Sequence, residues 1–299
     1  MKVLITGATG FVGLNVRAVL PPDWDVTWTA HVTSDLSDAM TVMGLAQKGP
    51  FDVILHLAGR VNIPESVNRP DLDLRDNAFT TLNIARYVKC KHLIYVSTGA
   101  VYEGQYGLAD PTKALHPSLP YAVHKLLGEH YVRAAVERWR TAERATIVRF
   151  FGCFGPYEPV TKLFARLART FVIDKRKAFA AYGDGMNLVD AMWAPDAASA
   201  LLTLMEDQCL RDDVWTVDLC RGTPMMVDDV VRIAGEVLLG ERPEASYWGT
   251  ANEHNLFYGD PDTFQRELPW RPTLSVADGF RAYEGWLLHR PESKGMEDV

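Results

Sequence analysis

The sequence predicts an α/β fold built on a doubly wound parallel sheet, with a smaller α/β lobe following it, and three observations support this. Short apolar runs alternate with longer amphipathic segments through the first half, the pattern of strand and helix units around a parallel sheet. A turn with three glycines follows the first run directly, at the place where such a sheet holds a ligand. After Gly155-Pro156 this rhythm loosens into helical segments separated by short strands. The expected division is 1–155 and 156–299, with the second part interleaved with the first.

The apolar runs at 3–6, 26–30, 53–57, 93–97 and 145–150 are the expected strands. Segments 11–20, 36–48, 72–89 and 121–139 read as the helices between them. Pro21-Pro22 ends the first helix, because proline cannot donate a helical hydrogen bond and its ring clashes with the preceding turn. Right-handed crossovers then leave the doubly wound sheet as the economical topology. In the second half, 161–171, 195–206, 226–238 and 274–287 read as helices.

Apolar residues make up 47% of the 299 and charged residues 23%, ordinary globular values that set aside disorder, collagen and coiled coil. The 31 Lys and Arg stand against 38 Asp and Glu, for a net charge of −7. That balance argues against a broad cationic surface, so neither nucleic acid nor membrane is an expected partner. The four cysteines form no Cys-x-x-Cys pair. Nor do His, Cys and carboxylates show metal-ligand spacing, so no metal is expected. No basic-then-apolar leader follows Met1, which makes a reduced, cytoplasmic location the expectation.

Thr6 is followed by Gly7-Ala8-Thr9-Gly10-Phe11-Val12-Gly13, so the glycines fall three apart between a strand and a helix. Glycine there lets the chain turn sharply, lets a pyrophosphate approach the backbone, and lets the helix pack on the strand. The helix's first N–H groups lack intrahelical partners and can bind phosphates with help from the helix dipole. This is a Rossmann-type signature. It makes 1–155 the NAD- or NADP-binding part, with Gly7, Thr9, Gly10, Phe11, Val12 and Gly13 as cofactor contacts. An acid gripping the adenosine ribose belongs at the end of the second strand, yet Trp28-Thr29-Ala30-His31 contains neither carboxylate nor arginine. His31 stands at that position, and the choice between NAD and NADP stays open. Asp35 and Leu36 lie close behind, and Asp35 reads either as a partner of the adenine amino group or as a helix N-cap.

Tyr121 and Lys125 stand four apart in a helical segment, which puts them on one face. A free tyrosine titrates near pH 10, too high for a base at neutral pH, and a neighbouring ammonium favours the phenolate. The pair gains weight because Ser97-Thr98 ends the preceding apolar run, where ligands of such sheets sit.

These motifs recur in a recognisable order. Thr6-Gly7-x-x-Gly10-Phe11-x-Gly13, His56-Leu57-Ala58-Gly59, Ser97-Thr98-x-x-Val101-Tyr102, Tyr121-x-x-x-Lys125 and Arg149 six before Gly155-Pro156 together resemble the extended short-chain dehydrogenase/reductases. The likeness is to their sugar-nucleotide epimerase/dehydratase group. Gly183-Asp184-Gly185, Asp190 and Asp196 continue it, so it spans roughly residues 1 to 200. The resemblance implies that Tyr121 exchanges a proton with a substrate hydroxyl and that Lys125 holds the nicotinamide ribose. It implies that Thr98 hydrogen-bonds the reacting oxygen, and that Leu57, Ala58, Gly59, Asn77, Ser97 and Phe151 face the cofactor. Arg60, Glu65, Ser66, Gly99, Ala100, Gly152, Arg166 and Asn187 are the implied substrate contacts. It also implies a homodimer, with helices 72–89 and 121–139 pairing with a second copy. Leu82, Ala85, Val132 and Val136 supply apolar positions on those helices, which could equally face the sheet.

Departures from the family pattern narrow the reading. The dehydratases place an Asp-Glu pair after the active-site threonine, and Gly99-Ala100 cannot eliminate water by that route. Gly152 replaces an asparagine and Val189 an arginine that clamps the nucleotide diphosphate in the family. A basic cluster at Arg166, Arg169, Lys175, Arg176 and Lys177 reads either as a substitute clamp or as a solvated surface. The expectation is an epimerase passing through a keto intermediate. An NADPH-dependent sugar-nucleotide 4-ketoreductase and a non-catalytic dinucleotide sensor are the alternatives.

Overall fold

The computed structural model describes residues 1–30, 34–207, 213–249 and 255–289. Six strands form one parallel sheet in the order Val214–Leu219, Ala142–Phe150, Cys90–Thr98, Phe51–His56, Lys2–Thr6 and Asp25–Thr29. The chain leaves Lys2–Thr6 for one neighbour, Asp25–Thr29, and returns to the other, Phe51–His56. The crevice beyond the carboxyl ends at that reversal is where doubly wound sheets bind ligands.

Both faces of the sheet are buried, which is why its strands read as apolar runs rather than alternations. Val3, Ile5, Val53, Leu55, Ile94 and Val148 pack on one face with Ala197, Leu201 and Leu204 of the helix Ala194–Glu206. Leu4, Ile54, Leu93, Tyr95 and Ile147 pack on the other with Ile84, Ala85, Val132 and Val136. The last three of these therefore face the sheet, and they offer no apolar surface to a second copy. A third core joins Phe154, Phe164, Phe171, Val230, Val231 and Phe280 in the second lobe.

The five expected strands and four expected helices of the first half are present, with ends displaced by a few residues. Segment 72–89 is helical from Pro70 to Tyr87, with a wide turn over Leu74–Phe79 that includes Asn77. Two further elements matter for the site and the sheet. One is the helix Ile63–Asn68, capped by the Asn62 side chain accepting from Glu65 N at 3.1 Å. The other is the strand Val214–Leu219, by which the second half completes the sheet of the first. No helix of the described residues is long and apolar enough to cross a membrane.

Candidate active site

The glycine turn is built as a cradle. Gly7 has a φ of 71°, open to glycine and costly for other residues. A Cβ on Gly7 would lie 2.8 Å from the backbone nitrogen of Ala58, and one on Gly13 would lie 2.3 Å from the Gly7 carbonyl oxygen. The helix Phe11–Val19 starts at Gly10 with no side-chain cap, which leaves its first N–H groups available to an anion.

Two connected clefts open from this turn. The first, about 410 Å3, is lined by Gly7, Thr9, Gly10, Asp35 and Leu36, with Leu57, Ala58, Gly59 and Arg60 across from them. The second, about 510 Å3, carries Phe11, Val12 and Gly13, the strand end Val96 to Thr98, Tyr121, Lys125, Phe151 and Gly152. Its far wall is Glu158, Lys162, Val189, Asp190, Asn255 and Phe257 from the second half. Two buried polar atoms here have no hydrogen-bond partner: Thr29 Oγ1, of a residue lining the first cleft, and Asn77 Oδ1, which lies against Gly59. A glycine cradle, an uncapped helix start and two orphaned polar atoms fit a dinucleotide, which supplies and demands hydrogen bonds along its length.

Tyr121 and Lys125 sit on the helix Pro120–Glu137, 8% and 4% exposed. Burial pushes the Tyr121 phenol up to about 12, against a smaller downward pull from the Thr98 hydroxyl. Burial also lowers Lys125 to about 7, against the charges of Glu129 and Asp73. Its Nζ donates to the Val96 carbonyl oxygen at 2.6 Å and lies 4.3 Å from the centre of the Tyr95 ring. The expected lowering of the phenol by the ammonium is therefore not found in the bare site, because desolvation is the larger effect on both groups.

Several implied contacts have other partners. The Ser97 hydroxyl donates to Glu129 at 2.7 Å, and Glu129 is paired with Arg149 at 2.9 Å in the interior. Ser97 thus offers its backbone to the cleft. Ser66 is fully buried and donates to the Ile63 carbonyl. Glu65 and Asp76 ion-pair with Arg60 at 2.9 and 3.0 Å. Gly99 packs under Phe151, where a Cβ would come within 2.8 Å of the ring, and the Ala100 N–H donates to the Thr98 hydroxyl. Arg166 donates to the Ala180 carbonyl and stacks on Phe179, so it is engaged in the second lobe. Asn187 accepts from the backbone of Asn255, which itself lines the cleft. Asp35 binds the Ser37 N–H and hydroxyl, while Asp38 caps the helix Ala39–Ala46; the N-cap reading of Asp35 is thereby corrected. His31 lies outside the described residues.

Sequence reasoning missed two groups and the partner of a third. Glu158 lines the cleft with its carboxyl pushed up to about 8 by burial. Lys162, the nearby cation, donates to the Val61 carbonyl at 3.1 Å. His124, next to Lys125 on the same helix, is the third, and it pairs with Asp73 at 2.7 Å. Only the identity of these residues was visible in the sequence; their convergence is a product of the fold.

The comparisons with known proteins agree with this geometry. The family model for the NAD-dependent epimerase/dehydratase family matches residues 3–216. A dTDP-glucose 4,6-dehydratase of Mycolicibacterium smegmatis is 26% identical, covering 96% of this chain and 95% of its own. A GDP-6-deoxy-D-mannose reductase of Pseudomonas aeruginosa is 27% identical, covering 94% and 95%. A UDP-glucuronic acid 4-epimerase from Bacillus cereus, solved with UDP-glucuronic acid and NAD, superposes with a TM-score of 0.83 at 21% identity, covering 96% and 99%. With a strand-turn-helix cradle and a buried Tyr-Lys pair at one crevice, and a family model covering most of its length, the chain belongs to the NAD-dependent epimerase/dehydratase family.

Proposed function

We propose that this protein is an NAD(P)-dependent enzyme acting on one carbinol or keto carbon of an activated sugar, as an epimerase passing through a keto intermediate. The observation that carries this reading is that Thr98, Tyr121 and Lys125, one turn on, line the same cleft as the glycine turn. The nicotinamide, when bound, accepts and returns the hydride. Tyr121 takes the proton of the substrate hydroxyl and later gives it back, and Thr98 orients that oxygen. Lys125 holds the nicotinamide ribose, where its ammonium faces the phenol and offsets the cost of ionising it. The Gly99 contact with Phe151 leaves no space for an acid side chain, which speaks against dehydration. Relatives named as epimerases of UDP-glucuronate and UDP-glucose support a nucleotide-linked sugar as substrate.

The reading extends to a homodimer and a reducing, cytoplasmic setting. Phe79 and Val123 are 44% and 40% exposed on the two helices a second copy would cover. Cys90, Cys153 and Cys220 are free thiols. A specific observation keeps the ketoreductase in view: a dehydratase relative and a reductase relative match this chain about equally well. Purified protein decides between them. An epimerase retains cofactor and interconverts sugars with no net change at the nicotinamide absorbance, whereas a reductase consumes added NADPH stoichiometrically. In either case Tyr121→Phe lowers kcat at least about a hundredfold with cofactor still bound. Undiminished turnover in that variant overturns the reading.

A further inference from the structure

Behind the Tyr121 and Lys125 pair lies a carboxylate that the proposed chemistry does not itself use. Asp73 is fully buried at the end of the short helix Pro70–Asp73. Its two oxygens are held separately: Oδ2 lies 2.7 Å from His124 Nδ1, and Oδ1 accepts from Asn77 Nδ2 at 3.0 Å. Asn77 is 1% exposed, and its amide also donates to the Arg60 carbonyl at 3.1 Å. That leaves Asn77 Oδ1 without a partner. This orphaned oxygen and Lys125 Nζ lie against the same side of Gly59, 2.5 and 3.9 Å from where its Cβ would stand. Asp73, Asn77 and His124 thus form a fastened cluster next to the lysine, with an unused acceptor on the lysine's side.

We propose that Asp73 is a positioning residue for the Tyr121 and Lys125 pair, clamped by His124 and Asn77 so that its fixed negative charge keeps Lys125 an ammonium turned toward the cofactor cleft. This rests on the proton-transfer reading of that pair. A buried lysine with nothing but the Val96 carbonyl would shed its proton, since burial disfavours the charged form. Two buried carboxylates oppose that, Glu129 on the lysine's own helix and Asp73 from the neighbouring one. Glu129, the larger of the two effects, is also held by a two-point contact with Arg149. Asp73 faces no arginine or second lysine in its hydrogen bonds, which leaves its charge available to Lys125. The other groups around the lysine supply no anion: Tyr95 from the strand lies beneath it, His56 is packed between Thr6 and Thr81, and burial raises the Tyr121 phenol. Asp73 also raises the Tyr121 phenol. Its removal therefore makes both members of the pair lose their protons more readily.

The full chain carrying Asp73→Asn tests this with two measurements. NADH binding is followed by cofactor fluorescence against pH, and turnover is followed against pH with the substrate found by the experiment above. The alkaline midpoint at which NADH binding is lost moves to lower pH by about half a unit or more, and both limbs of the turnover profile move the same way. His124→Gln keeps the Asp73 charge and an amide donor to hold it, and leaves the binding midpoint in place. Unmoved midpoints in Asp73→Asn overturn the proposal, as does an equal displacement in His124→Gln, which would trace the effect to packing. If Asp73→Asn does not fold, Asp73→Ser reads the same displacement, and failure of both to fold assigns Asp73 a structural role instead. The binding measurement needs no turnover. A moved midpoint together with an active Tyr121→Phe would overturn the proton-transfer reading alone.

Discussion

Lys125 illustrates how a residue can be functional at a cost to the fold. Its pKa falls from 10.5 to about 7 on burial, so between those values the unfolded chain binds more protons than the folded one. The stability associated with this group is present above 10.5 and is lost as pH falls toward 7. Glu158 has the opposite sign, because its carboxyl is raised from 4.5 to about 8 and its contribution is lost as pH rises through that window. The two overlap near neutrality, so the lysine is best isolated by difference. Lys125→Met should stabilise the cofactor-free chain by about 1–3 kcal/mol near pH 7, with an advantage that shrinks toward pH ~10. Urea midpoints of the two proteins across that range check this, and an advantage that grows with pH would contradict the assigned direction. A stability gain with loss of cofactor binding is the pattern expected of a group kept for function.

Among the elements, the glycine turn was the most legible because its chemistry is local. Strand, three spaced glycines and helix are contiguous in sequence, and Gly7 and Gly13 each meet a backbone atom that leaves no room for a Cβ. Gly13→Ala should cost about 2–4 kcal/mol, since its Cβ would lie 2.3 Å from the Gly7 carbonyl, and should abolish NADH binding. Gly44 is the control: it lies inside the helix Ala39–Ala46 with nothing within 4 Å of a Cβ. Gly44→Ala should stabilise by about 0.5–1 kcal/mol and leave binding untouched. Thermal melts and NADH titrations of the two variants separate them, and equal effects would refute the cradle. The central strands of the first half were legible for a related reason, being buried on both faces. The strand Val214–Leu219 was not, because Thr216 and Asp218 interrupt its apolar run. Asp218 is there to accept from Tyr102 at 2.9 Å, a partner 116 residues away. The Asp73 and His124 pair was hidden in the same way, by a separation of 51 residues that only the packed helices close.

At the scale of the whole molecule, a boundary at residue 155 separates sequence patterns more cleanly than it separates physical units. The strand Val214–Leu219 pairs along all six of its residues with Ala142–Phe150, which would otherwise be a bare sheet edge. On the sheet face that carries Val3, Ile5, Val53 and Leu55, cover comes from Ala197, Leu201 and Leu204, each at most 1% exposed. Phe264, Leu268 and Trp270 add to that same core from still further along the chain. A fragment ending at 155 keeps only the cover of the helix Phe11–Val19 on that face and exposes the rest, at roughly 25 cal/mol for each Å2 of apolar area left in water. Residues 1–155 alone should show no cooperative thermal transition, should bind a hydrophobic dye, and should not bind NADH, although every glycine of the cradle is present. A sharp melt with retained NADH affinity in that fragment would establish it as an independent domain and would reduce the second half to a substrate lobe.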